Sequence, residues 1–147
     1  MRYHLVAFFL LVSAALASSQ SAGEKTKELE RFQGSWPAVS IKGLDGRPTS
    51  TEDVAETRLV AKGNKFTLSG KAYSISGTFT IDPRKMPKTI DTVLNENQAA
   101  ETKLLGIYDI KGDIRKSCFA APGRERPTAF MYGKENYMIF EWKAQRP

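Results

Sequence analysis

The chain has 147 residues, a net charge of +6, one cysteine and one histidine. This length predicts one small domain, and a single cysteine excludes an intramolecular disulfide, so the fold must rest on its hydrophobic core. The basic residues are spread in short groups, none of which approaches the long basic arm typical of nucleic-acid binding. We therefore expect no nucleic-acid partner.

Residues 1–17 have the composition of a secretory signal peptide. Arg2 precedes an apolar run, and Ala15 and Ala17 supply the small residues that a signal peptidase requires. The run is too short to span a bilayer, so we expect export to the periplasm or the extracellular space, with no integral membrane segment after cleavage. Cleavage would also remove His4, which excludes histidine-based catalysis and histidine-ligated zinc from the processed chain.

The sequence predicts two short helical segments. Residues 18–31 form a polar leader that we expect to be flexible or partly helical, with one or two helical turns over 24–32. A second helical turn is predicted at 50–56, where Ser50 precedes Asp53 by three residues as a capping pair.

The rest of the chain shows a two-residue period interrupted by Gly, Asn and Pro turns, which predicts short strands. In the clearest strand, Tyr73, Ile75, Phe79 and Ile81 share one face with Gly77. The predicted strands cover 36–42, 57–61, 65–69, 72–81, 89–95, 103–110, 114–120, 128–132 and 136–143. Eight or nine strands joined by turns predict an all-β fold, in which residues 32–147 form an up-and-down antiparallel β-barrel that closes to remove its edges.

Several ordered motifs resemble a known family. The FQGSW of residues 32–36 is similar to the opening of lipocalin-like domains. The motifs at 77–91, 106–113 and 118–130 (GTFTIDP with PKTID, GIYDIKGD, and CFAAPGRERPTAF) resemble an uncharacterised lipocalin-like domain family that recurs in planctomycete genomes as exported proteins. The resemblance runs from about residue 32 to residue 143. It implies a lipocalin-like barrel and no established activity, cofactor or catalytic residue.

Inward-facing side chains of such a barrel are candidates for ligand binding or for simple core packing. The candidates are Tyr73, Ile75, Phe79, Tyr108, Phe130 and Phe140, with Arg115 under one of the alternatives below. Trp36 is large enough to plug one end of the barrel, with a cation from Lys143 or Arg146 stacked over its ring. Arg124 and Arg126, in a proline-braced loop, are candidates for holding an anion at the barrel mouth.

Arg115 and Ser117 depart from the resembled family, which has leucines on this inward face beside Phe119. An arginine inside an apolar barrel costs several kcal/mol unless it is paired or solvated. Either the strand shifts its register and turns Cys118 inward, which we favour, or the cavity is open and polar with Arg115 available to an anionic group.

The residue types support binding rather than catalysis. Without histidine, Cys118 lacks a base that would lower its pKa, and the scattered carboxylates are better explained by turns and surface charge. We predict a monomeric, non-enzymatic module with no metal or cofactor that holds a small apolar or amphipathic molecule. The alternative is a structural or interaction protein of the cell envelope, whose barrel is filled by its own side chains.

Overall fold

A computed structural model describes the chain at residues 4–95 and 101–146, with side chains described from residue 18 onward. Its β-structure is eight strands. They are β1 (Gly34–Lys42), β2 (Arg58–Lys62), β3 (Lys65–Ser69), β4 (Ser74–Asp82), β5 (Thr89–Leu94), β6 (Thr102–Lys111), β7 (Ile114–Ala120) and β8 (Tyr137–Lys143). Each strand pairs antiparallel with the next, and β1 pairs with β8, so the sheet closes into a barrel. The predicted up-and-down barrel is confirmed.

The ninth predicted strand, residues 128–132, is wrong. This segment lies in the connection between β7 and β8, which pair directly with each other, Cys118 opposite Ile139. Because the closed sheet leaves no free edge beside β7 or β8, the segment has no backbone partner with which to form a strand. It crosses the outside of the barrel instead, where Phe130 packs against Ile107, Cys118 and Ile139.

Both helices end where the sequence predicts, but the first helix is longer than predicted. Helix α1 (His4–Phe32) ends at the last residue of the predicted helical turns, and it includes the whole leader that we expected to be flexible or partly helical. Helix α2 (Thr51–Glu56) begins after Ser50, whose side chain accepts a hydrogen bond from the backbone N–H of Asp53. In the ranges that the structure describes, no helix is long and apolar enough to cross a membrane.

The last turn of α1 closes one end of the barrel. Phe32 is fully buried inside the strands, where its ring stacks on Phe79 at 5.6 Å and meets the edge of Tyr108 at 4.9 Å. Trp36 lies beside it, 2 % exposed, and donates from Nε1 to the Phe32 carbonyl oxygen at 2.8 Å. We call Phe32 and Trp36 the floor of the barrel. The opposite end, which carries α2 and the β3–β4 and β7–β8 connections, is the mouth.

Strand alternation sorts the side chains of the wall as the two-residue period predicts. Cys118 is fully buried but faces outward, beneath the β7–β8 connection, in a small cluster separate from the barrel interior. Burial raises the pKa of its thiol, with an opposing contribution from a backbone hydrogen bond at Met131. A protonated thiol in this position acts as a packed apolar residue.

Candidate ligand-binding site

The barrel interior retains a cavity of about 200 Å³ between the floor and the mouth. Its walls come from all strands except β1, and most of the lining atoms are apolar. The lining residues are Leu59, Ala61, Phe66, Leu68, Ile75, Phe79, Ile90, Thr92, Leu94, Leu104, Arg115, Ser117, Phe119, Met138, Phe140 and Trp142. Leu68, Ile75 and Phe140 also line a shallower depression at the mouth, so the cavity lies directly beneath that depression.

Arg115 lies at the floor of this cavity and is 5 % exposed. Its guanidinium carbon is 4.2 Å from the centre of the Phe32 ring and 5.7 Å from that of Trp36. Nε and Nη1 of Arg115 are buried and have no hydrogen-bond partner among residues 4–95 and 101–146. Burial lowers the pKa of Arg115 to about 9, against an opposing effect of the nearby Tyr108 hydroxyl.

The register shift that we favoured for β7 is therefore wrong. Arg115 pairs with Ile110 and Trp142, and Ser117 with Tyr108 and Phe140, so both polar residues face inward with Phe119. Cys118 faces outward, where the β7–β8 connection covers an apolar patch. That cover lets Ile107, Cys118 and Ile139 be buried outside the barrel, and it removes the reason to turn Cys118 inward.

Four of the seven predicted interior residues line the cavity: Ile75, Phe79, Arg115 and Phe140. Tyr73 does not; it precedes β4 at the mouth, is 44 % exposed, and its hydroxyl lies 3.2 Å from Thr57 Oγ1. Phe130 lies outside the barrel, because its segment crosses the outer wall. Tyr108 is fully buried inside the barrel but packs below the cavity, against Phe32.

Tyr108 belongs to a polar network that fixes α1 to the barrel. Its hydroxyl donates to Glu28 Oε1 at 3.1 Å, and the same carboxylate receives Lys88 Nζ at 2.8 Å and Arg31 Nη1 at 3.0 Å. Burial opposes ionisation of Glu28, yet these hydrogen bonds outweigh it and lower its pKa. Burial, reinforced by the Glu28 carboxylate, raises the pKa of Tyr108. The network is thus a carboxylate held by two cations and a neutral phenol.

The other predicted basic residues are placed away from the cavity. Arg146 is 70 % exposed and pairs with Asp113 at 2.6 Å, so the cation over the Trp36 ring is Arg115 rather than Arg146 or Lys143. Arg126 Nη1 lies 2.6 Å from Asp91 Oδ1 and donates to the Gly106 carbonyl, which ties its loop to the outer wall. Arg124 is exposed on that loop.

Several lining residues escaped the sequence analysis as site candidates. Phe66 and Leu68 alternate on β3, and Met138 and Trp142 on β8, in the pattern that identified Phe140. Extending that alternation to every strand would have found them. Strand alternation could not identify Phe32 and Glu28, because both lie on α1. Their contacts inside the barrel are with residues that are distant in sequence.

Two of the lining residues carry further unpaired polar atoms. Trp142 Nε1 and Thr92 Oγ1 are buried without a hydrogen-bond partner in the described part of the chain. No group of three or more His, Cys, Asp or Glu side chains within 4–95 and 101–146 is arranged to hold a metal ion. Comparison of the chain with protein-family models, curated proteins and solved structures yields no match.

Proposed function

We propose that this protein is an exported, non-enzymatic binding module whose barrel cavity holds one small apolar or amphipathic molecule. The observation that carries the proposal is the apolar cavity of about 200 Å³ between the Phe32–Trp36 floor and the mouth. Interiors normally pack with few voids larger than a water molecule. A barrel selected only as a structural unit would gain stability by filling this space, since each buried methylene contributes about 0.8 kcal/mol.

The cavity supports the binding module over the alternative of a barrel filled by its own side chains. Its volume lies just below the range of about 300–1,000 Å³ typical of small-molecule sites, so the ligand is small. Export and membership of the planctomycete lipocalin-like family complete the proposal; they rest on the signal-like residues 1–17 and on the motif resemblance.

A neutral apolar probe, octan-1-ol, tests whether the cavity binds anything. Trp142 lines the cavity, so occupancy should change the intrinsic fluorescence of the protein. We expect saturable binding by the wild-type chain and an affinity at least about tenfold lower in Ala61→Phe, which places a ring in the space that the probe would take. A tenfold loss corresponds to about 1.4 kcal/mol.

The matched control is Val60→Phe, because Val60 is the neighbour of Ala61 on β2 but is 44 % exposed on the outer face. This variant should bind octan-1-ol as the wild type does. The absence of saturable binding in the wild type, or an equal affinity in both variants, would contradict the proposed function.

A further inference from the structure

The guanidinium of Arg115 has less stabilisation within the protein than its burial requires. Removing a cation from water is costly even after the surroundings relax. The Phe32 and Trp36 rings, 4.2 and 5.7 Å away, offset part of this cost through cation–π contacts but leave the N–H donors of Arg115 without acceptors. With Nε and Nη1 lacking partners within the described ranges, the site is incomplete without an acceptor.

No carboxylate of the described residues lines the cavity. Glu28 is the one acidic residue that is buried in the described part of the chain, and Lys88, Arg31 and Tyr108 already bind both of its oxygens. Asp113, near the same end of the barrel, pairs with Arg146 on the outer surface. With no carboxylate of the described ranges available to Arg115, a molecule in the cavity is the source of the acceptor that fits the site.

The polar groups of the cavity favour an anion over a neutral acceptor. Trp142, the cross-strand partner of Arg115, has a buried indole N–H that also lacks a partner in the described chain, and this group can only donate. Ser117, two residues further along β7, adds a hydroxyl on the same wall. Donors and a positive charge thus lie towards the floor, while Leu94, Ile75 and Met138 make the end near the mouth apolar.

The volume limits the length of the ligand. If each water-sized group occupies about 30 Å³, a cavity of about 200 Å³ holds roughly seven of them. A slightly longer ligand such as octanoate would fill the cavity with its charged group at the floor and place the end of its tail in the depression at the mouth.

We propose that the ligand is a short- to medium-chain amphiphile with a single anionic head, such as a carboxylate, which enters head first and pairs with Arg115 while its tail extends towards the mouth. This inference rests on the proposed function and specifies its ligand class and orientation. The cavity sets the shape of the ligand as far as the mouth.

Paired ligands separate this inference from the proposed function. Octanoate and octan-1-ol have the same chain and differ in charge, and calorimetric titration would give the affinity of each for wild type, Arg115→Leu and Arg115→Lys. We expect wild type to prefer octanoate, and Arg115→Leu to lose at least about 30-fold in octanoate affinity while its octan-1-ol affinity changes less than about threefold. Arg115→Lys should retain part of the preference, since it keeps the charge and loses the planar fork.

Arg124→Leu is the matched control, because it removes the same charge from an exposed site and should leave octanoate affinity unchanged. As a direct readout, the Nε–H resonance of Arg115 should move downfield with octanoate and not with octan-1-ol. Equal affinity of wild type for the two ligands, or an equal loss in Arg124→Leu, would overturn the inference and leave the proposed function standing. If neither ligand binds wild type, the proposed function and the inference both fail.

Discussion

Arg115 is a residue that reduces the stability of the fold. Its charge lies in an apolar space with two aromatic rings as its main neighbours, and its pKa falls to about 9 because burial disfavours the charged form. Residues that are costly to bury and remain unpaired concentrate at functional sites. The same side chain is therefore both the weakest point of the core and the most specific feature of the cavity.

Replacing this charge should stabilise the protein. We expect Arg115→Leu to raise the free energy of unfolding by about 1–4 kcal/mol at pH 7, as found when apolar residues replace buried charges. The pKa of Arg115 falls from 12.5 in the unfolded chain to about 9 in the fold, so the penalty is complete below pH 9 and decreases as the pH rises above it. Tyr108 is the titratable group that opposes this shift, and its hydroxyl donates to Glu28.

Chemical denaturation of wild type and variant at pH 7 and pH 10 would measure this difference. The advantage of Arg115→Leu should be larger at pH 7, and Arg124→Leu should differ little from wild type at either pH. A variant less stable than wild type at pH 7 would show that Arg115 has acceptors in the ligand-free protein.

Helix α1 is the element that closes one end of the barrel. Its last turn inserts Phe32 among the strands, and Glu28 on the preceding turn binds Lys88 before β5 and Tyr108 on β6. Arg31 adds a hydrogen bond to the carbonyl of Ile110 at 2.9 Å. The helix is thus attached to the floor by packing and by a charge-assisted network, which holds the aromatic surface under Arg115 in place.

We expect Glu28→Gln to lower the free energy of unfolding by about 1–3 kcal/mol at neutral pH, because it weakens three hydrogen bonds to a carboxylate. The pKa of Glu28 is lowered from 4.5 in the fold, so its contribution is present above pH 4.5 and is lost as the pH falls through the folded value. Thermal unfolding between pH 3 and pH 7 should show the difference disappearing in acid. Glu30→Gln, on the exposed side of the same helix, should have no such effect; an equal loss there would argue against the network.

The barrel wall separates two apolar compartments, one inside the barrel and one beneath the β7–β8 connection. The wall between them is one sheet thick, so neighbouring residues of β7, Ser117 and Cys118, belong to different compartments. Arg126 strengthens the outer compartment by pairing with Asp91 on the wall. Substitutions in the two compartments should therefore separate stability from binding.

Phe130→Ala and Phe79→Ala form a matched pair for this purpose. We expect Phe130→Ala, in the outer compartment, to lower the free energy of unfolding by about 1–3 kcal/mol, less than a fully buried phenylalanine because Phe130 is half-buried. Its octanoate affinity should stay within about twofold of wild type. Phe79→Ala should change that affinity because Phe79 lines the cavity; calorimetry on both variants would test this, and an effect on binding from Phe130 alone would place the site elsewhere.

The features that depend on near neighbours could be predicted from the amino-acid sequence. The two-residue period predicted the inward faces of β4 and β8, and the Ser50 cap predicted the start of α2, since both depend on contacts within a few residues. Glycine is required at position 77 of β4, because a Cβ there would lie 2.1 Å from the carbonyl oxygen of Val93.

The long-range contacts that these faces make depend on the tertiary structure. The bond between Glu28 and Tyr108 joins residues 80 apart in the chain, and the segment around Phe130 lost its strand because β7 and β8 took each other as partners. Arg115 faces inward for the same reason: closure of the sheet sets the register of β7, and local preference for an apolar residue at that position is too weak to shift a strand paired on both sides.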